Sequence, residues 1–181
     1  MYRIFVDLMC GGWDSAKLLK RRSDFPGPIK LAVVVRLASS LHFAKSREAS
    51  AEVLKEVISR TALRYAKDWE PLVGDIIQDG LLVRDGKMCT FCHHSFQEYL
   101  CARDLADPST ENRHEPIRWF LRGQDWWREV ALFYLAMSKK PRELERLVRD
   151  CAEVAGATGG TREALLNKTI EESFPGYRIR A

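Results

Sequence analysis

The sequence predicts a mainly α fold that contains one β-hairpin. Apolar residues recur at helical spacing along most of the 181 residues. The spacing changes once, where two short apolar runs flank an Asp-Gly pair. Proline, glycine and capping residues stand where the helical patterns begin and end. We therefore expect a helical segment over residues 1–26, a middle domain over 27–107 and an α-helical, solenoid-like extension over 108–181.

The first segment contains two predicted helices. Residues 2–10 place several apolar side chains on one helical face, and Gly11 and Gly12 end the pattern. Asp14 is a good cap for a second, short helix. That helix would end on the basic run 20–22, as the negative end of a helix dipole favours.

The middle domain begins with three predicted helices. Pro28 suits the first turn of the third helix of the chain, whose apolar residues recur every fourth position. The fourth helix is predicted over about 48–66, with one apolar stripe. The fifth begins near Asp68, and Gly80 is its expected C-terminal cap.

A change of period then marks the hairpin. Residues 81–84 and 87–91 are predicted strands, and Asp85-Gly86 forms the tight turn because glycine readily takes positive φ angles. A further helix is predicted over about 95–106. Three helices followed by a hairpin is the layout of a winged helix, so the middle domain is predicted to be one.

The C-terminal part is predicted to be helical after a polar connection. Residues 107–124 contain prolines and predict a loop that includes a turn of helix around Trp119. Asp125 is expected to cap a helix, Pro141 to open the next and Thr161 to start the last. Successive antiparallel helices of this kind could begin an α-solenoid.

Residues 91–100, FCHHSFQEYL, are the most informative stretch of the chain. Ser95 and Glu98 have the spacing of a capping box, so Ser95 is predicted to cap the helix and Glu98 to support the cap. His93 would then stand in front of a helix N-terminus, where partial positive charge and free N–H groups suit a phosphate. Spacing alone favours a histidine that simply packs at a strand end.

Composition restricts the class of protein. The net charge of +4 neither requires nor excludes a nucleic-acid partner. No apolar run has the length of a membrane span, and the first residues lack the pattern of a signal peptide. Five irregularly spaced cysteines are typical of reduced thiols. We therefore expect a cytoplasmic protein without a membrane partner.

Two other functions remain open at this stage. Cys89, Cys92 and His93 match the pattern for haem attachment and half of a zinc site. A second ligand pair is not evident, and a strand would point the two cysteines to opposite faces. We expect no metal. The chain also lacks a phosphate loop and a recognisable catalytic triad, so we expect no enzyme activity by itself.

The other possibility is a free-standing winged-helix DNA-binding or adaptor protein. The helix before the hairpin would then enter the major groove. Its sequence over 69–79 has three acids and no lysine or arginine, and phosphates would repel such a surface. The charge pattern therefore argues against nucleic acid as the partner.

The stretch around His93 resembles a signature of a known family. Residues 91–99 match F-x-H-x-[ST]-F-Q-E-[YF], found in the winged helix of NACHT-type STAND NTPases, a class of signalling ATPases that includes innate-immunity receptors and bacterial antiphage proteins. Residues 2–14, 76–82 and 125–130 resemble neighbouring parts of the same proteins. The resemblance spans about residues 2–140.

The resemblance implies a function that the residues alone do not. In that family the signature histidine contacts the β-phosphate of ADP, which the neighbouring ATPase domain holds with Mg²⁺ in the closed state. His93 occupies that position. The chain would then be a non-catalytic regulatory module whose partners are a NACHT ATPase domain, in cis or in trans, and another protein that contacts the C-terminal helices. It would bind no cofactor by itself, and the ADP or ATP would belong to the ATPase domain.

Overall fold

The computed structural model describes residues 2–12, 25–110 and 114–179. Within these ranges the chain is mainly helical, with one small antiparallel sheet of three strands. This confirms the predicted fold class. Backbone contacts divide the chain into two compact units, Met1–Cys101 and Ala102–Ala181. The first unit contains both the predicted helical segment and most of the predicted middle domain.

The N-terminal helix differs from the prediction at its end. Helix α1 covers Tyr2–Asp7 and continues as a π-helix over Leu8–Gly12. The two glycines therefore lie within the helical turns, although they were expected to end them. The predicted second helix, residues 14–22, lies outside the described residues.

Helix α2, Gly27–Phe43, begins beside Pro26 and has Pro28 in its first turn, as predicted. Its buried face includes Lys30, which is only 1% exposed. The Nζ of Lys30 lies 3.2 Å from a carboxylate oxygen of Asp75 and 2.5 Å from one of Asp79. A buried ammonium is thus matched by two carboxylates, as the cost of burying a charge requires.

The predicted fourth helix was wrong at both ends. Glu48–Ala49 form a short strand, β1, because they pair with Thr90 and Cys89 far along the chain. Helix α3 covers Ala51–Thr61, and the Ser50 hydroxyl caps it by accepting from an N–H in the first turn. A separate 3₁₀ turn follows at Leu63–Tyr65. Helical periodicity had merged these three elements.

The helix before the hairpin begins as predicted, and the hairpin is present, but its turn lies one residue later than expected, at Gly86 and Lys87, because Asp85 pairs with Met88. Helix α4 covers Trp69–Gln78. Strands β2, Leu82–Asp85, and β3, Met88–Phe91, pair antiparallel around a turn that contains Gly86 at φ +57°. Strand order in the sheet is β1-β3-β2, so β3 is central. Helix α5, His94–Leu105, follows the hairpin.

The described residues of the second unit contain the end of α5 and four further α-helices. They are α6 (Glu115–Leu121), α7 (Arg128–Met137), α8 (Pro141–Ala155) and α9 (Thr161–Ser173). Helix α6 lies at the turn of helix expected around Trp119, but it is longer than predicted, because Pro116 occupies its first turn and does not break it. Asp125, which was expected to cap a helix, is the first residue of a 3₁₀ turn, Asp125–Trp127, that directly precedes α7. No helix in the described ranges combines the length and the apolarity that crossing a membrane requires.

Candidate functional site

The candidate site lies where β3 gives way to α5. The Cys92 N–H donates to the Leu81 carbonyl at 3.0 Å, which extends the hairpin by one bond beyond its last paired residues. His93 follows, and the carbonyl of His93 accepts the Phe96 N–H at 3.0 Å, the first bond of the helical turn. The position of His93 is therefore fixed from both sides.

The imidazole of His93 is exposed and is not sealed in apolar packing. Its Nδ1 accepts a hydrogen bond from the Ser95 N–H at 3.2 Å. In a neutral ring that role puts the proton on Nε2, because one ring nitrogen donates when the other accepts. His93 thus has an N–H group that can donate to a ligand.

The predicted capping box differs in the structure. Helix α5 begins at His94, so Ser95 is its second residue and does not occupy the cap position. The Ser95 N–H is satisfied by the ring of His93, and the Glu98 carboxylate accepts from Arg47. The box was expected because the Ser-to-Glu spacing fits it, but the nearby imidazole and a distant guanidinium provide the bonds that the structure shows.

Arg47 is the functional candidate that sequence reasoning missed. It lies in the connection between α2 and β1, and its Nη2 is 3.0 Å from Oε1 of Glu98. The Glu98 side chain is 7% exposed and that of Arg47 is 36% exposed. The carboxylate of the ion pair is therefore buried, while the Arg47 side chain is partly exposed and lines the same cleft as His93. No local pattern marks Arg47, because its partner is 51 residues away.

A second bond fastens the same connection to α5. Gln97 is almost fully buried, and its side-chain amide donates to the Ser46 carbonyl at 2.8 Å. Two consecutive residues of α5, Gln97 and Glu98, therefore bond two consecutive residues of the connection, Ser46 and Arg47. Because both bonds start from the first turns of α5, the position of Arg47 relative to His93 is set by the helix itself.

These groups line an open cleft of about 420 Å³, which we call the His93 cleft. The rings of His93 and His94 stack at 4.4 Å between centroids, with an angle of 23° between their planes. The lining contains one arginine and two histidines and no acid; its residues are Arg47, Thr90, Phe91, Cys92, His93, His94 and Gln97. The positive end of α5 adds to this charge. Such a surface suits an anion.

The cysteines give little support to metal or thiol chemistry here. Cys89 is buried and Cys92 is exposed, as their strand positions predicted. Desolvation raises the pKa of the Cys92 thiol, so the thiol is protonated at neutral pH and is a poor nucleophile or ligand. Within residues 2–12, 25–110 and 114–179, no three His, Cys, Asp or Glu side chains are grouped as a metal site would need.

The helix that would read DNA carries paired acids. Asp75 and Asp79, at the end of α4, both face the ammonium of Lys30. Lys30 is buried, so it offers no cation to a phosphate backbone. The geometry therefore adds no basic surface to this helix.

Comparison with protein-family models gave no match, and comparison with curated proteins gave none. The chemistry of the His93 cleft therefore rests on its own geometry.

Proposed function

We propose that this chain is a non-catalytic regulatory module of a NACHT-type STAND ATPase. It docks on the ATPase core, holds the β-phosphate of bound ADP through His93 and passes the open or closed state to its C-terminal helices. The observation that carries the proposal is the exposed imidazole, whose Nδ1 is occupied and whose Nε2 is the donor, beside Arg47 in a cleft without acids.

Arg47 extends the role that the sequence resemblance implies for His93. The Arg47 side chain lines the same cleft as His93, with its Nη2 on Glu98 and its Nη1 buried, and a guanidinium charge so close to the surface attracts phosphate oxygens. The neutral imidazole donor of His93 and the charge of Arg47 can therefore act on one phosphate terminus. The switch is a population shift, because ADP stabilises the docked state only by contacts that the undocked state lacks.

The size of the effect follows from the strength of such contacts. One hydrogen bond to a charged group contributes about 1.5–3 kcal/mol. Each 1.4 kcal/mol changes an equilibrium constant about tenfold. Loss of the His93 contact should therefore speed ADP release at least about tenfold, enough to move a switch whose states are nearly balanced.

The test uses an ATPase core of this class loaded with fluorescent ADP, with the full chain fused to it or added in trans. The dissociation rate of ADP is measured after a chase with unlabelled ADP. We expect the chain to slow dissociation, and His93→Ala to remove about tenfold of that effect. Lys87→Ala is the control, since it removes an exposed cation of the hairpin turn that lies outside the cleft lining, and it should retain most of the slowing.

Equal dissociation rates for the unmodified chain and His93→Ala would contradict the proposal. The alternative, a free-standing DNA-binding or adaptor protein, predicts instead a salt-dependent association with duplex DNA or a partner without nucleotide. A duplex titration of the same sample distinguishes the two functions.

A further inference from the structure

A second charged cleft lies in the C-terminal unit and shares no residue with the His93 cleft. It has a volume of about 790 Å³ and is lined by residues of α8 and of the segment that follows α9. We call it the arginine cleft; its lining is Arg142, Glu145, Arg146, Arg149, Gly176, Tyr177 and Arg178. Four guanidinium groups and one carboxylate thus share one concave surface.

One wall of the arginine cleft is a single face of α8. Arg142, Arg146 and Arg149 follow one another at helical spacings of four and three, which places them on the same side. Like charges at these spacings repel and destabilise an isolated helix. Arg142 and Arg146 are exposed, and neither has a hydrogen-bond or ion-pair partner among the described residues. An anion in the cleft would relieve this repulsion.

The other wall is the chain after α9. Gly176, at φ +89°, allows the turn that returns the chain, and the Tyr177 N–H donates to the Phe174 carbonyl at 2.9 Å. The Tyr177 hydroxyl then donates to the Glu145 carboxylate of α8. The guanidinium of Arg178 donates to the Tyr177 carbonyl at 2.7 Å. These bonds hold Arg178 at the cleft.

The single acid in the cleft is already used. Glu145 accepts from Tyr177 with one carboxylate oxygen and from Arg149, at 2.7 Å, with the other. Its side chain is 13% exposed. Glu145 therefore joins the two walls of the cleft and neutralises Arg149. The charges of Arg142, Arg146 and Arg178 are left without a matching carboxylate in the part of the chain that the structure describes.

We propose that the arginine cleft binds a compact polyphosphate, a small molecule with several adjacent phosphate groups. The planar fork of arginine matches phosphate oxygens, and the cleft has the volume of a small-molecule site. An extended nucleic acid fits less well, because exposed acids on α8 flank the arginines at Glu143, Asp150 and Glu153. Those carboxylates would repel a strand that continues beyond the cleft.

The experiment titrates the full chain with inorganic triphosphate by calorimetry, at low and at near-physiological salt. We expect saturable binding that weakens as salt rises. Arg142→Gln and Arg146→Gln should each weaken it about tenfold, and the double variant more. Both arginines are exposed and without described partners, so the variants should fold, and far-UV circular dichroism checks this.

Arg128→Gln is the matched control, because Arg128 is 52% exposed in the same unit and lies outside the cleft lining. It should change binding by less than about twofold. An equal loss in this control, or the absence of saturable binding, would overturn the proposal. The proposal would also be overturned if single-stranded oligonucleotides displaced triphosphate more strongly as their length increased, or if a phosphopeptide displaced it more tightly than triphosphate binds. His93→Ala should leave triphosphate binding unchanged, so failure here and failure of the ADP switch are separate results.

Discussion

Replacing Arg47 with glutamine tests whether the ion pair with Glu98 holds the His93 cleft together. Removing one partner of a fully buried ion pair costs about 3–5 kcal/mol, because the other charge stays buried. Glu98 is buried but the Arg47 side chain is 36% exposed, so water replaces part of the lost contact. We therefore expect Arg47→Gln to lower the free energy of unfolding by about 2–3 kcal/mol.

The assay is urea unfolding, followed by hydrogen exchange of the amides in β1 and β3, which report on the unit that contains the pair. The double variant with Glu98→Gln completes a thermodynamic cycle. Two glutamines can still form a neutral hydrogen bond, so we expect a coupling energy of about 1–2 kcal/mol.

The matched control is Arg60→Gln, since Arg60 forms an exposed pair with Glu56 in the same unit. It should cost less than about 1 kcal/mol. If the effects of Arg47→Gln and Glu98→Gln add within about 0.5 kcal/mol, the two side chains are not coupled and the reasoning about the cleft fails.

Two further predictions concern the same unit. Lys30→Met removes the buried ammonium that Asp75 and Asp79 face and should destabilise the unit by about 2–4 kcal/mol in urea unfolding; a loss below about 1 kcal/mol would contradict the role of the charge. Of the five cysteines, Cys92 should be the first that iodoacetamide modifies in the native protein, although slowly at neutral pH, because the other four are buried. Its pKa is raised by desolvation, so the rate should keep rising with pH beyond the ordinary thiol range, and mass spectrometry of each cysteine peptide checks both points.

Local signals in the sequence predicted most of the helices and the hairpin. Pro28 and Pro141 open helices, and Gly86 forms the turn between paired strands, because each acts through its own backbone geometry. Strand β1 was missed because two residues carry no period, and their structure depends on a partner strand about forty residues away. A tertiary contact overrode the local preference.

The candidate site was predictable only in part. His93 could be placed at the start of a helix from the sequence around it, and the structure leaves it exposed there. Its partners could not be predicted in the same way. Ser95 and Glu98 fit a capping box by spacing, yet spacing does not show that Arg47 competes for the carboxylate or that an imidazole is close enough to accept the Ser95 amide.

The buried pair Gln97 and Glu98 has a consequence for how such sequences are interpreted. Gln97 donates to the Ser46 carbonyl, and Glu98 accepts from Arg47. A glutamine followed by a glutamate at this place therefore indicates that a loop is bonded to the helix. A distant sequence could retain that dipeptide for architecture alone after losing its histidine. In such a sequence, ligand binding would have to be inferred from the histidine and the arginine. The Gln-Glu dipeptide would indicate only the contact between the loop and the helix.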